Sequence, residues 1–401
     1  MGRIVVIGAG QAGASLTGKL RQLGHEGEIV LMGEEPAPPY QRPPLSKKYL
    51  LGEMPLERMY LKPVAAYAEA GIDLRLGQRV EAVDATAREV HLGGEVLPYD
   101  QLAFTTGSSV RRLPASIGGD LGGVFTVRTL ADVDAMAAAF GQGGHVLIIG
   151  GGYIGLEAAA VAAMKGLKVT LIEAADRILK RVAAPETSDY FRDLHAGHGV
   201  DIREGTALSR LTGEGHVSGA ELADGTTLTI DFAIVGVGID PCTPLAEAAG
   251  IICENGIRTD AQGRTSADGV WAAGDCASFP YRGERIRLES VPNAIDQAEV
   301  VAANMLGAET EYVAKPWFWS DQYDLKLQIA GLNTGYDSVV VRAGDKGQSH
   351  WYYRGTDLLA VDAMNDARGY MIGKRLIEAG KSPEASAIAD PATDLKALLK
   401  A

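Results

Sequence analysis

The sequence predicts an α/β protein with two Rossmann-like dinucleotide-binding domains and a small C-terminal α+β domain. Three observations predict it. The fingerprints Gly8-Ala-Gly10-Gln-Ala12-Gly13 and Gly150-Gly-Gly152-Tyr153-Ile154-Gly155 each follow an apolar strand and open a helical run. The first Gly makes the tight turn, the second admits a pyrophosphate against the backbone, and the third packs helix on strand, leaving the phosphates at a helix N-terminus. Each fingerprint has an acidic residue about 20 residues downstream, Glu34 and Glu173, so the pair is hard to produce by accident. From Pro316 the texture changes to Trp317-Phe318-Trp319 and short alternating runs, which mark the third domain.

In order, residues 3 to 8 read as a buried strand, 13 to 23 as a helix and 28 to 33 as a strand ending in Glu34, a complete βαβ unit. In Pro38-Pro39-Tyr40-Gln-Arg42-Pro43-Pro44-Leu45-Ser46-Lys47 the prolines forbid regular structure until Ser46 can cap a helix, predicting a shaped loop above the first sheet. Runs around 73 to 85, 89 to 92 and 101 to 106 read as strands, the last closed by Thr106-Gly107. The pattern restarts with a strand at 145 to 149, a helix at 153 to 165 and a strand at 168 to 172 ending in Glu173. Residues 232 to 238 read as a closing strand, and 269 to 275, ending in the turn Gly274-Asp275, as a strand returned to the first domain. Strands at 327 to 330, 338 to 342 and 350 to 353, then a helix at 365 to 379, complete the C-terminal domain.

The 401 residues, 46% of them hydrophobic, suffice for two or three cores. Fifty glycines suit many tight strand-to-helix turns rather than a helix bundle. A net charge of −13 argues against general affinity for nucleic acid or an anionic membrane, because neutralising phosphates requires clustered cations. Cys242, Cys253 and Cys276 are too few and scattered for a disulfide framework, which implies a reducing compartment. The first strand leaves no room for a signal peptide and no apolar run is long enough to span a bilayer, so a cytoplasmic protein is expected. His195 and His198 do not have the spacing of a helical metal pair and read as surface histidines, and no metal site is expected.

Pro43-Pro-Leu-Ser-Lys47, Arg128-Thr129, the run from Gly150 to Glu157, Gly274-Asp275, Glu289-Ser-Val291-Pro292-Asn293 and Trp317-Phe-Trp319-Ser-Asp-Gln322 follow one another over nearly the whole chain. In that order the sequence resembles the FAD-dependent, NADH-oxidising reductases that feed bacterial two-iron two-sulfur ferredoxins, the putidaredoxin-reductase-like class. The resemblance implies a glutathione-reductase-type fold. An FAD domain (1–112 and 242–314) is interrupted by an NADH domain (113–241) and followed by a C-terminal domain (315–401). Such a protein moves a hydride from NADH to FAD and then single electrons to the ferredoxin of an oxygenase, either a haem-thiolate monooxygenase or a ring-hydroxylating dioxygenase. Cofactors supply the chemistry, so no catalytic triad is expected. The protein itself is expected to be a monomer or weak dimer.

The resemblance also assigns residues. FAD falls to Gly8, Gly10, Ala12 and Gly13, with Glu34 on the adenosine ribose hydroxyls, Val80, Thr106, Gly107 and Arg128 around the adenosine and pyrophosphate, and Gly274-Asp275 near the ribityl chain. Arg42, Pro43, Val291 and Trp319 complete that set. NADH falls to Gly150, Gly152, Tyr153, Ile154, Gly155 and Glu157, with Glu173 on the ribose, Arg181 on the adenosine portion and Gly238 beside the nicotinamide. A carboxylate at Glu173 repels a 2′-phosphate and favours NADH over NADPH, while Arg177, Lys180 and Arg181 just downstream argue the other way. Hydride arriving at the flavin leaves negative charge on the ring, so a fixed cation there stabilises the reduced state. The family gives that place to Lys47, paired with Glu157, and sets Trp319 over the flavin.

Two departures from the family pattern stand out. Asp240-Pro241-Cys242 replaces a segment that often has Asn after the proline, and the basic candidates for partner docking, Arg285, Arg287, Lys326, Lys374 and Arg375, are mixed with acidic residues. Residues 1 to 241 contain no cysteine, which removes the flavin disulfide reductases. An NADH-dependent flavin oxidase, and a non-enzymatic NADH-sensing flavoprotein related to apoptosis-inducing factor, are the alternatives.

Overall fold

The run Ile4–Ile7 is buried at every position, as befits the central strand of a parallel sheet covered on both faces. In the computed structural model, which describes residues 2–344 and 347–400, contacts divide the chain into two compact units. One comprises residues up to Gln41, Pro55–Ser109 and Ile239–Pro316; the other comprises Arg42–Met54, Val110–Gly238 and the chain from Trp317 onward.

In the first unit five parallel strands run in the order Val270–Ala272, Gln101–Phe104, Ile4–Ile7, Ile29–Met32, Ile72–Arg75. The late strand Val270–Ala272 thus joins the sheet begun at the N-terminus. Helices Gln11–Gln22 and Val291–Met305 share a core through Leu16, Leu20, Ala298, Val301 and Met305. A second core on Val5, Val30, Leu102 and Phe104 is packed by Val83, Val90 and Leu97 of the small antiparallel sheet Ala82–Asp84, Glu89–Leu92, Glu95–Pro98.

The second unit repeats the plan, with parallel strands in the order Asp201–Arg203, Lys168–Ile172, His145–Ile149, Phe232–Val235, Val124–Phe125. It also contains an antiparallel sheet in the order Trp317–Gln322, Leu325–Gly331, Asp357–Met364, Gln348–Arg354, Ser338–Ala343. Helix Ala367–Glu378 covers that sheet with Tyr370, Ile372 and Leu376 on Trp351 and Val361.

Several expectations need correction. Ser46 does not cap a helix: Pro43–Ser46 is itself a 3₁₀ turn, and Lys47 is the residue preceding helix Lys48–Leu51. The run at 73 to 85 splits into Ile72–Arg75 and Ala82–Asp84. Asp357–Met364, absent from the sequence reading, is buried at all but its first position and so lacks the alternation that marks a one-sided strand. The aromatic triplet opens a strand of its own. His195, expected at the surface, is fully buried.

Candidate functional site

The two fingerprints form closely similar cradles. A Cβ on Gly8 would meet Thr105 O at 2.2 Å, and one on Gly13 would meet Gly8 O at 2.2 Å; in the second cradle Gly150 would meet Gly236 O at 2.4 Å and Gly155 would meet Gly150 O at 2.0 Å. Those four glycines are demanded by the fold itself. Gly8 and Gly150 also hold φ of +114° and +110°, where a side chain is strained. The middle glycines differ, because a Cβ on Gly10 or Gly152 would meet nothing within 4 Å. Each precedes a helix whose N-terminus has no side-chain cap and no acidic residue in its first turn. Close-packed turns beside an open backbone and an unneutralised helix N-terminus fit a dinucleotide pyrophosphate, so the chain's residues match the cofactors its fingerprints imply.

Around the second cradle, Glu173 accepts from the backbone N–H of Gly151 (2.7 Å) and of Ala175 (2.8 Å). Both oxygens keep a lone pair for a further donor. Arg177 donates to Ser188 Oγ (2.6 Å) and Lys180 pairs with Asp176 (2.9 Å), so two of the three downstream cations are engaged within the protein. Arg181 is exposed, its guanidinium 3.8 Å from where a Cβ on Gly238 would stand, beside Arg111 at the same distance. Tyr153 and Ile154 open the helix Tyr153–Met164, the first packed on Phe318 and the second exposed.

In the first unit, Ala12 is buried on helix Gln11–Gln22, and a Cβ on Gly274 would stand 3.0 Å from the Ala12 methyl, so the Gly274-Asp275 turn lies against the fingerprint helix. Gln297 Oε1 fixes that turn by accepting from Gly274 N (2.9 Å). Thr106 Oγ1 donates to Cys242 O and Cys242 N to Gly107 O, tying the two strand ends together. Val80 is buried, Val291 opens helix Val291–Met305, and Glu34 is exposed with Arg79 at 3.9 Å.

The remaining candidates belong to the second unit. Arg42 donates to Arg128 O (2.6 Å), and Pro43 opens the 3₁₀ turn that presents Ser46 and Lys47. Lys47 Nζ lies 3.0 Å from Glu157 Oε1, 3.9 Å from Asp321 and 5.9 Å from the ring of Trp319. Glu157 is the one charged residue of the apolar helix Tyr153–Met164 and is buried there. Burial pushes its carboxyl above the usual carboxylate range, and Lys47 with the hydroxyls of Ser320 and Ser46 pulls it back. Ser46 Oγ donates to Oε2 (2.5 Å) and Ser320 Oγ to Oε1 (2.6 Å). Sequence reading missed Ser46, Ser320 and Gln322 as site residues. The signal was a lone Glu in an apolar helix, which obliges nearby donors to exist without saying where in the chain they are.

Of the basic docking candidates, Arg285 donates to the carbonyls of Thr259 and Ser278 and Arg287 pairs with Glu289 at 2.6 Å. Lys374 lies over the Trp317 ring, whereas Lys326 and Arg375 are exposed. Among the described residues no cluster of His, Cys, Asp and Glu could hold a metal ion, and no helix is long and apolar enough to cross a membrane.

Residues 2–298 match the pyridine nucleotide-disulphide oxidoreductase family and residues 317–399 the reductase C-terminal family. The chain is 46% identical to a ferredoxin–NAD(P)+ reductase of Sphingomonas sp, over 98% of this chain and 96% of that one. It is 37% identical to the ferredoxin–NAD+ reductase component of the biphenyl dioxygenase system of Paraburkholderia xenovorans strain LB400, over 99% and 98%. Its fold is similar to the crystal structure of the covalent putidaredoxin reductase–putidaredoxin complex, with a TM-score of 0.96 and 37% identity, covering 100% of this chain and 98% of that one.

Proposed function

This chain belongs to the pyridine nucleotide-disulphide oxidoreductase family and, within it, to the FAD-dependent ferredoxin–NAD(P)+ reductases, and from that premise we propose how its own residues carry electrons from NADH to a two-iron two-sulfur ferredoxin. It is an oxidoreductase serving an oxygenase system through a ferredoxin. FAD held at the first cradle would supply the conversion of two-electron nicotinamide chemistry into single-electron transfer.

The first cradle, Gly8, Gly10, Ala12 and Gly13, holds the FAD pyrophosphate, and Glu34 accepts from its ribose. The second, Gly150, Gly152 and Gly155, holds NADH, with Glu173 on the ribose and Gly238 leaving room beside the nicotinamide. Lys47 is the cation for the flavin ring, and Glu157 holds its ammonium at one atom. Trp319 is the aromatic face over that lysine. The FAD domain is assigned to 1–112 and 242–314, the NADH domain to 113–241 and the C-terminal domain to 315–401. The protein acts in the cytoplasm as a monomer or weak dimer.

One observation carries this reading: in both cradles the outer glycines are required by backbone contacts, while the middle one faces open space. The test is to add NADH to the purified yellow protein with a panel of two-iron two-sulfur ferredoxins and to follow a terminal acceptor. Rapid reduction is expected with at least one of them. NADH turnover as fast without ferredoxin as with it would make the protein an oxidase instead.

A further inference from the structure

Glu157 is the end of a longer line of polar side chains, all in the second compact unit. Ser320 Oγ is 2.6 Å from Glu157 Oε1, Gln322 Nε2 is 3.1 Å from Ser320 Oγ, His195 Nε2 is 2.7 Å from Gln322 Oε1, and Tyr323 Oη is 3.1 Å from His195 Nδ1. Ser320, Gln322 and His195 are buried, and the line reaches the surface where the exposed His198 ring stacks on Tyr323 at 3.6 Å. Three elements contribute: helix Tyr153–Met164, strand Trp317–Gln322 and helix Pro185–Gly197. Ser320 and Gln322, two apart on the strand, share one face of it.

We propose that Gln322 and His195 are positioning residues for the Glu157–Lys47 pair, acting through a one-directional line of hydrogen bonds that keeps the Ser320 hydroxyl donating to the carboxylate. The direction follows from the inventory of donors. An ionised carboxylate only accepts, so Ser320 donates to it, and the serine oxygen then accepts from the Gln322 amide nitrogen. That turns the amide oxygen to His195, whose Nε2 must carry the proton. The ring's Nδ1 is left to accept from Tyr323. Every group thus donates toward Glu157, and one charged acceptor fixes both the orientation of a glutamine and the tautomer of a histidine. Burial pushes the His195 imidazole down to about 4, so the ring stays in that neutral form at working pH.

The line matters because Ser46 and Lys47 alone do not complete the carboxylate's partners in a site this dry. With Ser320 turned away, Glu157 binds a proton more readily and stops neutralising Lys47. The titratable and charged groups around this pair are Lys47 itself, Asp321 at 3.9 Å from the lysine, and His195, Tyr323 and His198 along the line, while Tyr153, one turn earlier on the helix, packs on Phe318. The consequence for the flavin rests on the assignment of Lys47 made above. The consequence for the carboxyl does not.

Gln322→Glu keeps the shape but replaces the donor facing Ser320 with an acceptor, so it draws the serine proton away from Glu157. Ser320→Ala deletes the last link, and His195→Gln retains a donor toward Gln322. Two readouts on the holoenzyme separate the claims. The carboxyl C=O infrared band of protonated Glu157, assigned by its loss in Glu157→Gln, is followed against pH, and the flavin midpoint potential is measured over the same range. The infrared titration is expected to move up by about one pH unit, a tenfold change in proton affinity, in Gln322→Glu and Ser320→Ala, and to stay near wild type in His195→Gln. The inflection in the potential should move with it. If the infrared titration stays put in both variants while they retain flavin, the positioning role is wrong. If it moves and the potential does not, the line stands and Lys47 is not the flavin's cation.

Discussion

The ammonium of Lys47 lies 3.0 Å from Oε1 of Glu157, and the carboxylate is 3% exposed within an otherwise apolar helix. A buried ion pair adds little net stability over an apolar replacement, but removing one partner strands the other charge, at roughly 3–5 kcal/mol. Lys47→Met is expected to lose about that much, and the double variant Lys47→Met/Glu157→Gln to recover most of it. The loss has a pH sign. Without the lysine the folded-state pKa of Glu157 rises further above its unfolded value, so stability is retained at low pH and lost as pH rises through the folded value. Thermal unfolding of the wild type, Lys47→Met and the double variant at pH 6 and pH 8 measures this, and equal losses at both values would show that the carboxyl is not the stranded group.

The middle glycines give a separable pair of outcomes. Gly10 and Gly152 have extended backbone, φ −98° and −81°, that alanine adopts freely, and a methyl there meets no protein atom. Gly10→Ala is expected to fold normally but to be isolated with little flavin, while Gly152→Ala keeps its flavin and shows a raised KM for NADH. Gly13→Ala and Gly155→Ala drive a methyl into a carbonyl oxygen and should lower Tm before any binding is measured. Full flavin in Gly10→Ala with normal stability would remove the first cradle from the cofactor assignment.

Both βα cradles were legible in the sequence because glycine spacing, a preceding apolar strand and an acidic strand end are local signals. The return of Val270–Ala272 to the first sheet was also legible, through the Gly274-Asp275 turn that follows it. The surroundings of Lys47 were not. Ser320 reaches Glu157, with Gln322 behind it on Ser320, only because an antiparallel strand more than 150 residues later packs beside that helix, and a serine in an aromatic strand carries no local mark of it. His195 was misread for the same reason: its amphipathic helix shows a polar residue, while the partner that makes burial tolerable, Gln322, is distant in sequence. Asp357–Met364 was invisible because a strand buried on both faces has no alternation.

On the proposed assignment of Glu173 to the nucleotide ribose, this residue sets the choice between NADH and NADPH. Its oxygens already accept from Gly151 and Ala175, which fixes the carboxylate at the strand end with lone pairs directed outward. A hydrogen bond to a charged group contributes about 1.5–3 kcal/mol, so Glu173→Ala should lower kcat/KM for NADH by about tenfold or more. The rate with NADPH should fall less or rise, because the repulsion of a 2′-phosphate is gone. Flavin content should be unchanged. Parallel losses with both nucleotides would mean that Glu173 only braces the loop.

Acid stability carries the last prediction. His195 and His350 are buried, and burial pushes each imidazole down to about 4. Asp362, which accepts from the Thr187 hydroxyl that also meets His350, is pushed up to about 6 by its own burial. A histidine with a lowered folded pKa contributes stability above its unfolded value near 6.5 that is lost as pH falls toward 4. An aspartate with a raised folded pKa does the reverse, gaining stability as pH falls through 6 toward its unfolded value. Between pH 6 and 4 each of these two histidines takes up close to one proton on unfolding and Asp362 releases close to one, each proton contributing a slope on the order of 1 kcal/mol per pH unit. His195→Gln should therefore flatten the fall in Tm between pH 6 and 4.5, and Asp362→Asn should steepen it. Calorimetric Tm measured across that range checks both, and identical slopes in wild type and the two variants would show that neither buried group controls acid unfolding.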